Sequence, residues 1–154
     1  MEFKVKNKII EIKFDYRTRY KANKKLATQN QETGESNNDG VATLFNNILN
    51  RNDKGIVDLI MLAANTAGSK AITEDDALSA IEKWLTENEA SDTDDLFKEI
   101  QEEMVESGFF KEEISKYITN METSLEYMEG QEDVSDIQLK AIEKMIGKMK
   151  NAIS

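Results

Sequence analysis

The side chains able to do chemistry in this chain are carboxylates and amines. It carries 30 Asp and Glu, 20 Lys and Arg, and neither His nor Cys. Without histidine, the usual general base and the commonest transition-metal ligand are missing. Without cysteine there is no thiolate nucleophile and no disulfide framework. A carboxyl group can still act as a general acid when burial lifts its pKa. Asp58, between Val57 and Leu59, comes nearest to an apolar setting, and on a helix it can simply face out. Two short patterns hint at calcium. Glu35-x-Asn37-x-Asp39-Gly40 opens on Glu where Asp is usual, and its twelfth position is Asn46, not a bidentate Glu. Asp92-x-Asp94 has Phe97 where the turn needs glycine. Neither reads as a metal site. An enzyme is therefore a distant reading, no cofactor is expected, and the more promising chemistry is that of contact surfaces.

Charge is unevenly spread. Residues 1–27 hold nine basic side chains against three acids, a net of +6, and the rest carries −16, which together give the net of −10. An acidic total argues against nucleic acid as the main partner, since phosphate binding relies on basic surface. No apolar run is long enough to span a bilayer, and Met1-Glu2-Phe3-Lys4 does not open a signal peptide. A cytoplasmic location is the expectation. At 39% apolar and 32% charged, the core should be thin, which favours elongated or oligomeric packing.

These residues are positioned by an N-terminal β-hairpin followed by about seven helices, a mainly α fold. Residues 3–14 pair around a two-residue turn at Asn7-Lys8, which sets Val5 opposite Ile10 and Phe3 opposite Ile12. Phe3, Val5, Ile10 and Ile12 then share one face. Asp15 caps a helix from Tyr16 to about Ala27, with Tyr16 and Tyr20 on a stripe read as packed core. Arg17, Lys21, Lys24 and Lys25 flank that stripe as a basic contact surface. Residues 28–40 contain no apolar side chain and should form a mobile loop, with Asp39 capping the next helix.

A short helix over 41–50 presents Leu44, Phe45, Ile48 and Leu49. The stretch Ile56 to Ala64 is apolar all round and should be central, ending at Gly68-Ser69. Thr73-Glu74-Asp75-Asp76 reads as a capping box with Asp in place of Glu. It opens a helix carrying Ile81 and Trp84, the latter read as core or interface. Ser91 or Asp92 begins a helix whose outer face is acidic (Asp94, Asp95, Glu99, Glu102, Glu103, Glu106), and Ser107-Gly108 closes it. From Phe109 and Phe110 a helix with Met121 and Met128 runs to Gly130; Ser135 starts a last one with Met145 and Met149. These two should form a helical hairpin, and Met-rich faces suit partners of varied shape. The chain divides as a core over 1–108 and an appendage over 109–154, with Glu89–Ser91 an alternative boundary.

The order of these elements resembles one family. The run from Phe3 to Tyr16 (Phe3-Lys4-Val5-Lys6-Asn7-Lys8-Ile9-Ile10-Glu11-Ile12-Lys13-Phe14-Asp15-Tyr16) is similar to the opening of the tail assembly chaperones of long-tailed bacteriophages and prophages of Gram-positive bacteria. The Tyr- and Lys-bearing helix after it, Asn38-Asp39-Gly40, Leu44-Phe45, the Asp53–Ala64 stretch and Asp94-Asp95-Leu96-Phe97 follow the same pattern. The resemblance covers roughly residues 1–110. It implies a protein without enzymatic activity that coats and solubilises the tape-measure protein and recruits major tail protein. It also implies action in the host bacterial cytoplasm and absence from the mature virion.

Within that expectation, Arg17, Lys21, Lys24 and Lys25 would meet Asp94, Glu99 and Glu102 of a second copy. Phe109, Phe110, Met121, Met128, Met145 and Met149 would meet partner helices. A competing reading is a small acidic regulatory inhibitor that fills a partner's basic groove with the 92–106 face. Loss of residues 1–40 without loss of binding would favour the inhibitor.

Overall fold

The computed structural model describes residues 1–64 and 67–154. Strands β1 (Glu2–Val5) and β2 (Lys8–Glu11) form a two-stranded antiparallel sheet. Phe3 pairs with Ile10 and Val5 with Lys8, so the turn is Lys6-Asn7 and not Asn7-Lys8. Lys6 takes the left-handed φ of 56° that the first position of such a two-residue hairpin turn needs. The register also brings Met1 opposite Ile12, whose N–H donates to the Met1 carbonyl at 2.9 Å. Partners move by two residues, and because side chains alternate with period two the faces are unchanged. Phe3, Val5, Ile10 and Ile12 are all buried, while Ile9 is exposed.

Seven helices follow among the described residues: α1 (Tyr16–Lys25), α2 (Gly40–Leu49), α3 (Asp53–Ala63), α4 (Glu74–Glu87), α5 (Asp94–Glu106), α6 (Gly108–Glu129) and α7 (Asp136–Ile153). The last two pack as a hairpin. Helices α2 and α3 bury the densest apolar runs, including Leu44, Phe45, Ile48, Ile56, Leu59 and Ile60. Helix α4 lies on β1, with Trp84 half-buried against the core. Helix α3 ends at Ala63, earlier than Gly68-Ser69; the residues between Ala64 and Ala67 lie outside those described. Asp58 does face the side of α3, where its carboxylate meets Lys54.

The caps behave largely as the local chemistry dictates. Asp15 accepts from the Thr18 N–H at 3.0 Å. In the Thr73–Asp76 box the Asp76 N–H donates to Thr73 Oγ1 at 3.2 Å and the Thr73 N–H to Asp76 Oδ2 at 2.9 Å. These hydrogen bonds are the main reason both aspartates titrate below the usual 3.8. Their folded pKa is depressed, so the stability they add is fully present above pH 3.8 and is lost as pH falls through the lowered value. Asp15→Ala should cost about 1 kcal/mol at pH 7. Its destabilisation should shrink in urea titrations run progressively below pH 3.8, and a constant difference would refute the assignment.

Asp39 departs from expectation. It occupies the N-cap position of α2, but its carboxylate accepts no hydrogen bond from the N–H groups of that helix. Its two oxygens instead accept from the Thr28 N–H (2.7 Å) and Thr28 Oγ1 (2.6 Å). That clasp, a Gln29–Ser36 bridge and the bond from the Asn37 N–H to the Thr28 carbonyl tie the polar loop across its base. The loop is therefore tied at its base by hydrogen bonds. Asn23 of α1 supplies the cap that Asp39 does not: its Oδ1 accepts from the Val41 N–H at 3.0 Å.

One apolar cluster spans the chain, from Phe3 through Phe45 and Phe97 to Phe110, Ile114, Ile118, Ile146 and Met149. Ser107 is the single residue between α5 and α6. Its hydroxyl accepts from the Phe110 N–H and donates to the Phe14 carbonyl at 2.6 Å, joining the second helical half to the segment before α1.

Candidate functional site: charged and apolar contact surfaces

Burial of Ala22 beneath Gly40 sets the rotation of α1. On a wheel of 100° per residue, Ala22 and Leu26 then point inward. Tyr16 and Asn23 come to lie on one side, Tyr20, Lys24 and Arg17 point away from the core, and Lys21 and Lys25 lie on the other side. The tyrosines are thus not core. Tyr16 is 57% and Tyr20 59% exposed, because the 3–4 spacing that fits a buried stripe is satisfied here by Ala22 and Leu26. Arg17, Lys24 and Lys25 are exposed and Lys21 is half-exposed. None of the four makes an ion pair among the described residues.

Arg19, which composition alone does not set apart from its neighbours, is the organised cation of α1. Its guanidinium lies 5.1 Å from the centroid of the Tyr16 ring and 5.5 Å from that of Phe109, and it pairs with Glu113 at 3.6 Å. Tyr16 and Phe109 meet edge to face at 5.9 Å. Glu113 also accepts from Asn23 Nδ2 at 3.3 Å. An open groove of about 480 Å³ results between α1, the polar loop and α6. Tyr16, Tyr20, Asn23, Asn38 and Glu113 line it. These partners lie some 90 residues apart in sequence, so no local pattern announces them.

The acidic face of α5 is only partly free. Asp94 accepts from Lys98 Nζ at 2.7 Å and Arg51 Nε at 2.9 Å, and those hydrogen bonds hold its pKa below the usual carboxylate value. Arg51 in turn covers the Phe97 ring. Asp94 thus works inside the molecule, tying the α2–α3 turn to α5. Glu99 and Glu102 are exposed without an ion pair among the described residues. All three acids named from sequence lie at the surface, but only Glu99 and Glu102 are without an ion pair among the described residues.

The aromatic and methionine candidates separate as well. Phe109 is 44% exposed, whereas Phe110 is fully buried and stacks edge to face on Phe14 at 5.1 Å. Met149 is buried with Ile146 against the core. Adjacent positions on a helix point 100° apart, so Phe109 and Phe110 cannot serve the same surface. Phe110 and Met149 therefore belong to the core and not to the partner-facing surface expected of them. Met121, Met128 and Met145 are half-buried on the distal part of the α6–α7 hairpin, where Tyr127 (72%) and Ile137 (82%) are openly exposed.

Among the described residues, no group of three or more acidic side chains is placed to hold a metal ion. The half-EF-hand pattern is used up by loop closure: Asp39 serves Thr28, and Asn37 Nδ2 donates to Thr28 Oγ1 at 2.9 Å. No described helix is long and apolar enough to cross a membrane. The surface carries a basic row on α1, an acidic face on α5 and a half-open helical hairpin. No curated protein and no solved structure matches the chain significantly. Residues 2–119, which hold the hairpin, α1 to α5 and the core-facing part of α6, match the family described as phage tail assembly chaperone protein, TAC. The chain belongs to the family of phage tail assembly chaperones.

Proposed function

We propose that this chaperone coats and solubilises the tape-measure protein and recruits major tail protein subunits during assembly of the tail tube, without catalysing a reaction. Family membership over residues 2–119 carries the reading. It acts in the host bacterial cytoplasm and is left out of the mature virion. A tape measure is a long helix with an apolar stripe, which aggregates unless that stripe is covered. A covering protein needs apolar surface toward the guest and charge outward. Co-expression with the tape-measure protein of the same phage should move it from the insoluble to the soluble fraction. Its staying insoluble beside abundant, folded chaperone would overturn the reading. Recruitment is checked by adding major tail protein to the purified complex and to each component alone.

Copies of the chaperone would line the tape by self-association. The support is the row Arg17, Lys21, Lys24 and Lys25 and the acids Glu99 and Glu102, which make no ion pair among the described residues, on a chain of net charge −10. Changing the four cations together to serine should lower the sedimenting mass at low salt toward that of the monomer. Raising salt should do the same to the unaltered chain. Association indifferent to both changes would count against this surface. Deleting residues 1–40 would not separate chaperone from inhibitor, since it removes Phe3, Val5, Ile10, Ile12 and Ala22 from the core.

A further inference from the structure

The α6–α7 hairpin is two different objects along its length. Its base is core: Phe110, Ile114 and Ile118 of α6 and Ile146 and Met149 of α7 are buried. Between Ile118 and Ile146 no residue is buried at all. Yet this distal part repeats apolar side chains at helical spacing, with Met121, Leu125 and Met128 on α6 and Ile142 and Met145 on α7, all half-buried. Two helices alone cover only one side of each stripe. A helical pair that buries nothing fully gains little from packing, and short helices are marginal without it. The half-covered stripes are what a third helix would complete.

The charge around these stripes says which helix. Over residues 119–145 there are seven acids and two lysines, a net of −5. Glu122 is paired with Lys150 at 2.9 Å. Glu126, Glu129, Glu132, Asp133 and Asp136 have no ion-pair partner among the described residues. An incoming helix with acidic flanks would be repelled, and one with Lys and Arg beside its apolar stripe would be drawn in. The family match ends at residue 119, one residue past Ile118, the last buried side chain of α6. The distal hairpin therefore lies beyond the matched residues. The methionines allow such a surface to repack around successive stretches of a long partner.

We propose that the distal α6–α7 hairpin is a docking surface for an amphipathic helix whose apolar stripe is flanked by basic residues. This rests on the tape-measure reading only for the source of that helix.

The test uses the full chain and two synthetic three-heptad helical peptides with the same leucine stripe, one flanked by lysines and one by glutamates. The lysine-flanked peptide should bind at least tenfold more tightly at low salt, with the gap narrowing as salt is added. Met121→Ser with Met128→Ser should weaken binding about tenfold or more. Because that pair could loosen the hairpin, a second variant keeps the apolar face: Glu126→Lys with Glu129→Lys should erase or reverse the preference, whereas Glu99→Lys with Glu102→Lys on α5 should leave it. Equal binding of both peptides, or equal sensitivity to the α5 and hairpin charge changes, would overturn the assignment. So would selective binding by the lysine peptide that persists in both hairpin variants. If the peptide binds as described and the tape-measure protein still stays insoluble in co-expression, the functional reading falls and the docking surface stands. If the tape-measure protein is rescued while neither peptide binds, the reverse holds.

Discussion

Gly40→Ala should cost this protein much of its stability, about 3 kcal/mol or more. A β-carbon built on Gly40 would lie 1.9 Å from the Ala22 carbonyl oxygen and 2.7 Å from the Asn23 Cα. Both are backbone atoms, so no side chain can swing aside. Relief requires α1 to lift from α2. Lifting would break the bond from the Val41 N–H to Asn23 Oδ1 and uncover Ala22, which is fully buried. A native domain is stable by only about 5–15 kcal/mol, so the variant should melt roughly 6–12 °C lower if each kcal/mol shifts the midpoint by about 2–4 °C. Gly147→Ala is the matched control. It sits in α7 with nothing within 4 Å of the added carbon, and it should gain about 0.5–1 kcal/mol from helix propensity. Thermal melts of the two variants should move in opposite directions. An unshifted melt for Gly40→Ala would mean that α1 does not rest on α2 as described.

Phe110→Ala carries the second large effect, a loss of about 3–5 kcal/mol. The ring is fully buried and meets Phe14 edge to face, next to the Ser107 hydroxyl that holds the Phe14 carbonyl. Phe109→Ala, one residue earlier and 44% exposed, should cost about 1 kcal/mol from its lost contacts with Tyr16 and Arg19. The pair measures what α6 does at each face. A large cost at Phe110 means that the start of α6 belongs to the same cooperative unit as the hairpin and α1. A mild cost, with unfolding that proceeds in two steps, would instead favour a core that closes near residue 108. Urea titrations followed by the single Trp84 and by circular dichroism would decide between them.

Much of the fold was legible because its signals are local. Asp15, the Thr73–Asp76 box and Ser135 all act within one helical turn, and a polar cap side chain close to an apolar period needs no distant partner. The hairpin's buried face was legible despite the misplaced turn, because any even shift preserves alternation. The cap of α2 was not legible. Asp39 stands in the right place, but Thr28 competes for its oxygens and Asn23 takes over its task from another helix. The tyrosine stripe was misread for a related reason. Spacing identifies a face of α1, and only packing decides which face turns inward.

The amino-acid sequence by itself determined the element order, the buried faces of β1–β2 and α2–α5, the charge division between the first 27 residues and the rest, and the exclusion of histidine and cysteine chemistry. These depend on composition and short-range periodicity, which are properties of the chain alone. Tertiary structure decided which charged groups are spent and which are free. Arg19 and Asp94 are engaged by residues distant in sequence, while Arg17, Lys21, Glu99 and Glu102 make no ion pair among the described residues. It also separated Phe109 from Phe110, and the buried base of the α6–α7 hairpin from its half-covered end. The physical reason is common to all of these. Whether a side chain is available depends on what the folded chain places beside it, and residues some 90 positions apart become neighbours only when the core closes.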